Sequence, residues 1–157
     1  MKLGLISKYE VVRETDLGYI LKDIEENDSE YFLHRNESNY QKLKPGDLVD
    51  AFLYVDKQKR VAATLYKPLI TLNQGGLCTC VSVTSSGAYF NIGISKDILL
   101  SSDDYSSLER VMVGDKLPCK LRLRGNNSIY IKLLNKEQIL ELNDGYKYVY
   151  LSGEKTV

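Results

Sequence analysis

Lys120, Arg122 and Arg124 alternate along one short stretch of the chain, and Tyr130 and Lys132 repeat the same spacing a few residues later. Side chains two apart on a β-strand share a face. If Cys119, Leu121 and Leu123 point inward, the three cations point outward together, and on the next strand Tyr130 and Lys132 join them. Cations around an aromatic ring suit a single-stranded nucleic acid, because phosphates take the charge and a base stacks on the ring. The whole chain carries 21 basic and 21 acidic residues. That excludes a binder held by bulk charge alone. The balance is uneven along the chain, however. Residues 69–136 carry 8 basic and 5 acidic side chains, whereas residues 1–68 carry 11 and 12.

Other chemistries find fewer residues to carry them. There is one histidine, no glycine-rich phosphate loop and no carboxylate pair in a hydrolase context, so a non-catalytic chain without cofactor is expected. Cys78-Thr79-Cys80 has two thiols near each other, but a zinc site wants about four ligands, and Cys119 is the one remaining cysteine. Small buried strand residues are the better account of all three, with no metal. The run Asp23, Glu25, Glu26, Asp28 and Glu30 reads as a solvated loop. His34-Arg35 is a candidate phosphate contact, although a solvated loop pair is the plainer account, and Tyr19 is a candidate aromatic one, with Tyr31, Phe32 and Tyr40 near it in sequence. Phe52 and Tyr54 alternate with Ala51, Leu53 and Val55 and should face out, where packing against a partner surface is the expected role. No apolar run reaches the roughly 18 residues of a membrane span. The opening Met1-Lys2-Leu3-Gly4-Leu5-Ile6-Ser7-Lys8 is charged too soon for an export signal, and the expected location is the cytoplasm.

The elements that must position these residues come twice. Val11 to Leu21 lies on Cys80 to Phe90 with Gly18 on Gly87, an offset of 69. Lys44-Pro45-Gly46-Asp47-Leu48-Val49 lies on Met112-Val113-Gly114-Asp115-Lys116-Leu117, an offset of 68. Ala51, Leu53 and Val55 then fall on Cys119, Leu121 and Leu123, and Val61, Ala63 and Leu65 on Ile129, Ile131 and Leu133. Such a series marks two copies of one unit. Each copy has short runs of period two separated by polar turns, such as Asp56-Lys57-Gln58-Lys59-Arg60 and Arg124-Gly125-Asn126-Asn127-Ser128. Gly18 and Gly87, inside strand-like runs, predict a bulge or corner. The fold class predicted is all-β: two tandem five-stranded OB-fold barrels, residues 1–67 and 69–135, with a short helix at Lys136–Leu142 and a tail to residue 157 of unknown role.

Asp16-Leu17-Gly18-Tyr19-Ile20-Leu21 with Gly46-Asp47-Leu48-Val49, and Ser85-Ser86-Gly87-Ala88-Tyr89-Phe90 with Gly114-Asp115-Lys116-Leu117, resemble the signature of the RNA-binding domain first described in ribosomal protein S-one. The opening Met1-Lys2-Leu3-Gly4, the run Val11-Val12-Arg13-Glu14-Thr15-Asp16-Leu17-Gly18, and Ala62-Ala63-Thr64 followed by Lys67-Pro68 resemble more closely the N-terminal half of the bacterial conserved virulence factor B family. That resemblance spans residues 1 to about 140 and implies RNA binding and a regulatory role in bacterial gene expression, without catalysis. Members of that family normally continue into a third barrel and a winged helix, so beside them this chain, ending at Val157, reads either as a fragment or as a short version. The stacking positions of the generic domain fall on Leu17, Ile20, Ser86 and Tyr89, of which Tyr89 alone is aromatic.

The expectation is therefore a single-stranded RNA binder, with Tyr89, Lys120, Arg122, Arg124, Tyr130 and Lys132 in the second copy and Tyr19, His34 and Arg35 in the first as its contacts. The alternative is a protein-interaction adaptor, with a protein partner or a homodimer, favoured by the zero net charge and the lost stacking aromatics; Phe52 and Tyr54 are expected to be shielded by the second barrel or by a second copy of the chain. A weaker third reading is a segment flanking a nuclease core.

Overall fold

The computed structural model describes residues 2–26, 28–104, 111–125 and 127–134. The helix expected at Lys136–Leu142 and the tail lie outside the described residues. The described residues form ten strands: β1 Ile6–Glu14, β2 Gly18–Asp23, β3 Glu30–His34, β4 Leu48–Val55, β5 Val61–Thr64, β6 Gly76–Thr84, β7 Gly87–Asn91, β8 Ile98–Ser101, β9 Lys116–Arg124 and β10 Ser128–Leu133. The described residues divide into two compact units, one within Met1–Pro68 with Gly93–Ser95, the other of Leu69–Ile92 with the described residues from Lys96 on.

In the first unit β1 to β5 form a closed barrel in the order β1-β2-β3-β5-β4. All its pairings are antiparallel except the seam, where β3 and β5 run parallel over Phe32↔Ala62 and Leu33↔Ala63. In the second unit the five strands form a sheet in the order β10-β9-β6-β7-β8, with β8 lying against β10. The two orders are the same when β6 to β10 are read as β1 to β5, as tandem OB-type units require. Alternation fills each interior. Tyr9, Val11, Leu21, Leu33, Ala51, Leu53 and Ala63 are buried in the first unit, and Cys78, Cys80, Ala88, Phe90, Leu100, Cys119, Leu121 and Ile131 in the second.

The same local devices recur in both units. In the turn before β4, Gly46 N donates to Val11 O, Val11 N to Asp47 O, and Lys44 N to Asp47 Oδ2, each at 2.8 Å. Before β9, Gly114 N donates to Cys80 O and Cys80 N to Asp115 O at 2.8 Å, and Met112 N to Asp115 Oδ2 at 2.9 Å. Gly46 and Gly114 hold φ of 93° and 95°, a left-handed turn that glycine adopts freely.

Three expectations need correction. Gly18 and Gly87 are not the bulges; the register shifts on the neighbouring strands, between Val11 and Arg13 and between Cys80 and Ser82. The glycines open β2 and β7, and their reason is close approach. A Cβ at Gly18 would stand 2.1 Å from the Leu33 carbonyl oxygen, and one at Gly87 2.1 Å from that of Leu100. Leu123, expected inside, is 46% exposed, because it sits at the tip of the β9–β10 hairpin just before the turn at Gly125. The carboxylate run is not wholly solvated. Asp23 is buried, with the Lys2 ammonium 3.4 Å away and the Glu25 N–H donating to it at 2.8 Å. Both partners reach Oδ1, while Oδ2 is buried without a hydrogen bond, so the cost of burying the carboxylate is offset in part.

Candidate nucleic-acid interface

Register in the second unit aligns one outward residue from each strand. Arg122 on β9 faces Tyr130 on β10, Leu99 on β8 faces Tyr89 on β7, and Tyr89 faces Ser82 on β6. The remaining step, from β10 to β8, is placed by the repeat: the two strands lie close together, and Tyr130 and Leu99 correspond to Ala62 and Phe32, which pair at the seam of the first unit. The outcome is a half-buried row, Arg122–Tyr130–Leu99–Tyr89–Ser82, across the outside of the unit.

Cations flank the β9–β10 end of that row. Lys120 stands directly opposite Lys132, and Arg124 opposite Ser128. The Arg124 guanidinium lies 4.5 Å from the centroid of the Tyr130 ring, a cation–π contact that orients the ring. Like charges directly opposite on a sheet repel, so an anion between Lys120 and Lys132 would relieve a cost built into the hairpin. The structure thus brings together Lys120, Arg122, Arg124, Tyr130 and Lys132 on one surface, with Tyr89 two strands along the same row.

The matching row of the first unit is Tyr54–Ala62–Phe32–Ile20–Arg13. Its β4–β5 end is closed. Tyr54 is 6% exposed and Phe52 1%, and burial pushes the Tyr54 hydroxyl up to about 12. Its open end holds Phe32, Ile20 and Arg13, the last 4.0 Å from Glu30. Phe32 packs edge-on against His34 at 6.0 Å. His34 Nδ1 accepts the Asn36 N–H at 3.0 Å and so caps the short 3₁₀ turn Arg35–Glu37. Arg35 is held by the turn between β1 and β2: it donates to Glu14 at 2.9 Å and to the Thr15 and Asp16 carbonyls at 3.0 and 3.3 Å. Tyr19 alternates with Ile20, lies off the row, and is 3% exposed, with its hydroxyl accepting the Leu43 N–H at 3.3 Å.

Phe32, Leu99 and Ser82 belong to these rows and were not singled out as contacts from the sequence. Their signal was the period-two phase of β3, β8 and β6, but the offset between the copies changes to 67 from Phe32 to Leu99, and that step cannot be placed without the register.

The three cysteines are free and buried. Burial pushes the Cys80 and Cys119 thiols up. Among the described residues no group of three or more His, Cys, Asp or Glu side chains could hold a metal ion. No helix among them is long and apolar enough to cross a membrane.

Residues 3–66 match the family model of the S1 domain, so the first barrel is an S1-type OB domain. The likeness to curated relatives runs across both units. The chain is 32% identical to the uncharacterized protein YitL of Bacillus subtilis over 90% of this chain, and 28% identical to conserved virulence factor B of Staphylococcus saprophyticus over 88%. It spans about half the length of these relatives, 47% and 46%. The fold is also that of a Streptococcus pneumoniae crystal structure described as a multidomain protein with nucleic acid binding domains, at a TM-score of 0.70 and 22% identity, covering 86% of this chain and 47% of that one.

Proposed function

We propose that this chain binds single-stranded RNA without catalysis and acts in the cytoplasm as a regulator of bacterial gene expression. The observation that carries the reading is the row Arg122–Tyr130–Leu99–Tyr89–Ser82 with Lys120, Lys132 and Arg124 beside it. Two half-buried rings offer stacking faces, and the cations offer phosphate contacts. Phosphate would also relieve the opposed Lys120 and Lys132. The S1 domain in the first unit and the named relatives support the same reading. A net charge of zero implies modest affinity that depends on this local charge. The test is a filter-binding titration of the chain against single-stranded RNA over a range of salt. Saturable binding that weakens with salt is expected, and no binding at low salt overturns the reading.

The second reading, a protein-interaction adaptor, has one observation in its favour. Val81, Val83, Met112 and Val113 are all exposed, and the Gly114 N–H bond to Cys80 O brings their turn to the bulge of β6. Exposed apolar side chains gathered in this way mark a surface that meets another protein.

A further inference from the structure

The first unit carries a cleft of about 490 Å³ that no residue of its outer row lines. Tyr19 and Tyr66 form part of its wall, and the segment after β3 supplies Arg35, Asn36, Tyr40 and Lys42. Local hydrogen bonds build that segment. Ser38 Oγ donates to Arg35 O at 2.8 Å, Gln41 N to Ser38 O at 3.0 Å, and Leu43 N to the Tyr19 hydroxyl at 3.3 Å.

Tyr40 is the telling residue. It follows Asn39 at φ 53° and itself sits at φ 62°, where bulky residues are seldom held. Yet its ring is 95% exposed, so no packing within the fold compensates for the strained backbone. Strain of this kind gathers at sites that clamp ligands. Two cations stand with the ring. Arg35 is fixed by Glu14 and the Thr15 and Asp16 carbonyls, with its guanidinium 5.6 Å from the Tyr19 ring centroid. The side chains of Lys42 and Asn36 make no hydrogen bond or ion pair among the described residues. An open ring, an amide and two cations around a ligand-sized cleft are the groups that recognise a base and its phosphate together.

We propose that this cleft binds a nucleoside phosphate, with its base stacked on Tyr40, the base edge met by Asn36, and the phosphate held by Lys42 and Arg35. The ligand is either a free nucleotide or one unpaired residue of a strand. The site lies on the first unit; as a free-nucleotide site it goes beyond the function proposed above, and as a site for one residue of a strand it rests on that reading and deepens it.

Amide NMR spectra of the full chain, titrated with the four nucleoside monophosphates, with a short single-stranded oligonucleotide, and with inorganic phosphate, test this. Saturable shifts at Asn36, Tyr40 and Lys42 are expected with at least one monophosphate or with the oligonucleotide. Monophosphate binding supports a free-nucleotide site; oligonucleotide binding alone supports a site for one residue of a strand. Tyr40→Ala should weaken binding about tenfold where a base stacks on the ring, and Tyr40→Phe should restore it. An unchanged spectrum elsewhere would show that the exposed position left the fold intact. The doubly neutralised Arg122→Gln, Lys132→Gln chain should show the same shifts at Asn36, Tyr40 and Lys42 with the monophosphates as the parent, while its overall affinity for the oligonucleotide falls, which separates this site from the row. Inorganic phosphate acting as well as every nucleotide, or no shift at these amides with any probe, would overturn the proposal.

Discussion

Arg13, Ile20, Phe32, Ala62 and Tyr54 on the first unit occupy the same places as Ser82, Tyr89, Leu99, Tyr130 and Arg122 on the second. The interiors behind the two rows are alike in kind, and so are the Gly-Asp turns and the opening glycines of β2 and β7. The outer faces differ. Where the second unit presents a half-buried tyrosine and an arginine, the first has a buried alanine and a buried tyrosine. Its own charge on the row is at the opposite end, at Arg13, with Glu30 close by. One barrel plan thus carries two unlike surfaces, and binding has to be argued from the surface of each unit rather than from their shared fold.

The largest expected effect tests whether the shared plan is real. Gly18→Val and Gly87→Val each drive a side chain into a carbonyl oxygen 2.1 Å away. Each should cost about 4 kcal/mol or more, in the range of core overpacking at its worst, and abolish the cooperative transition of its unit in thermal unfolding. A variant that melts like the parent would remove the equivalence of the two glycines. The next effect is on the rows. Replacing Arg122 and Lys132 by Gln should flatten the salt dependence of RNA binding by about 0.7 in log–log slope per lost contact. Arg13→Gln should leave the slope nearly unchanged, and equal slopes from both would erase the contrast between the units. Tyr89→Ala or Tyr130→Ala should cost about 1–3 kcal/mol of binding with little change in slope, as read from titrations at one salt concentration. The smallest effect is invisible at neutral pH. The buried Tyr54 hydroxyl titrates near 12 rather than 10. Above pH 10 the unfolded chain therefore loses this proton while the folded one keeps it, and stability falls as pH rises toward 12. Tyr54→Phe should shallow that alkaline decline in denaturant midpoints measured from pH 9 to 12.

The repeat was legible because its markers are residues that backbone geometry demands. Gly46-Asp47 and Gly114-Asp115 fix the turns, and a constant offset carries the phase of the following strands. The outward set Lys120, Arg122, Lys132 and Tyr130 followed from that phase alone. What pattern reading missed depends on where strands end and on what covers them. Leu123 keeps the inward phase but sits at a hairpin tip, and the burial of Asp23 needs Lys2 from twenty-one positions away. Tyr19 belongs to the aromatic set of the first unit by sequence, but its alternation with Ile20 directs it inward.

The parallel seam of the first barrel joins β3 to β5 through just two residue pairs, Phe32↔Ala62 and Leu33↔Ala63. Every other junction in that barrel has four or more. Sub-global opening follows the line with the fewest shared hydrogen bonds. The barrel should therefore breathe as a sheet that unzips between β3 and β5, and amide protons along that line should exchange with solvent sooner than those between β1 and β2. Phe32, the ring at the centre of the first unit's row, stands on the moving edge. Anything that bridges Phe32 to Ala62 from outside would act as a clasp, and would register as slowed exchange at the seam before any change in shape.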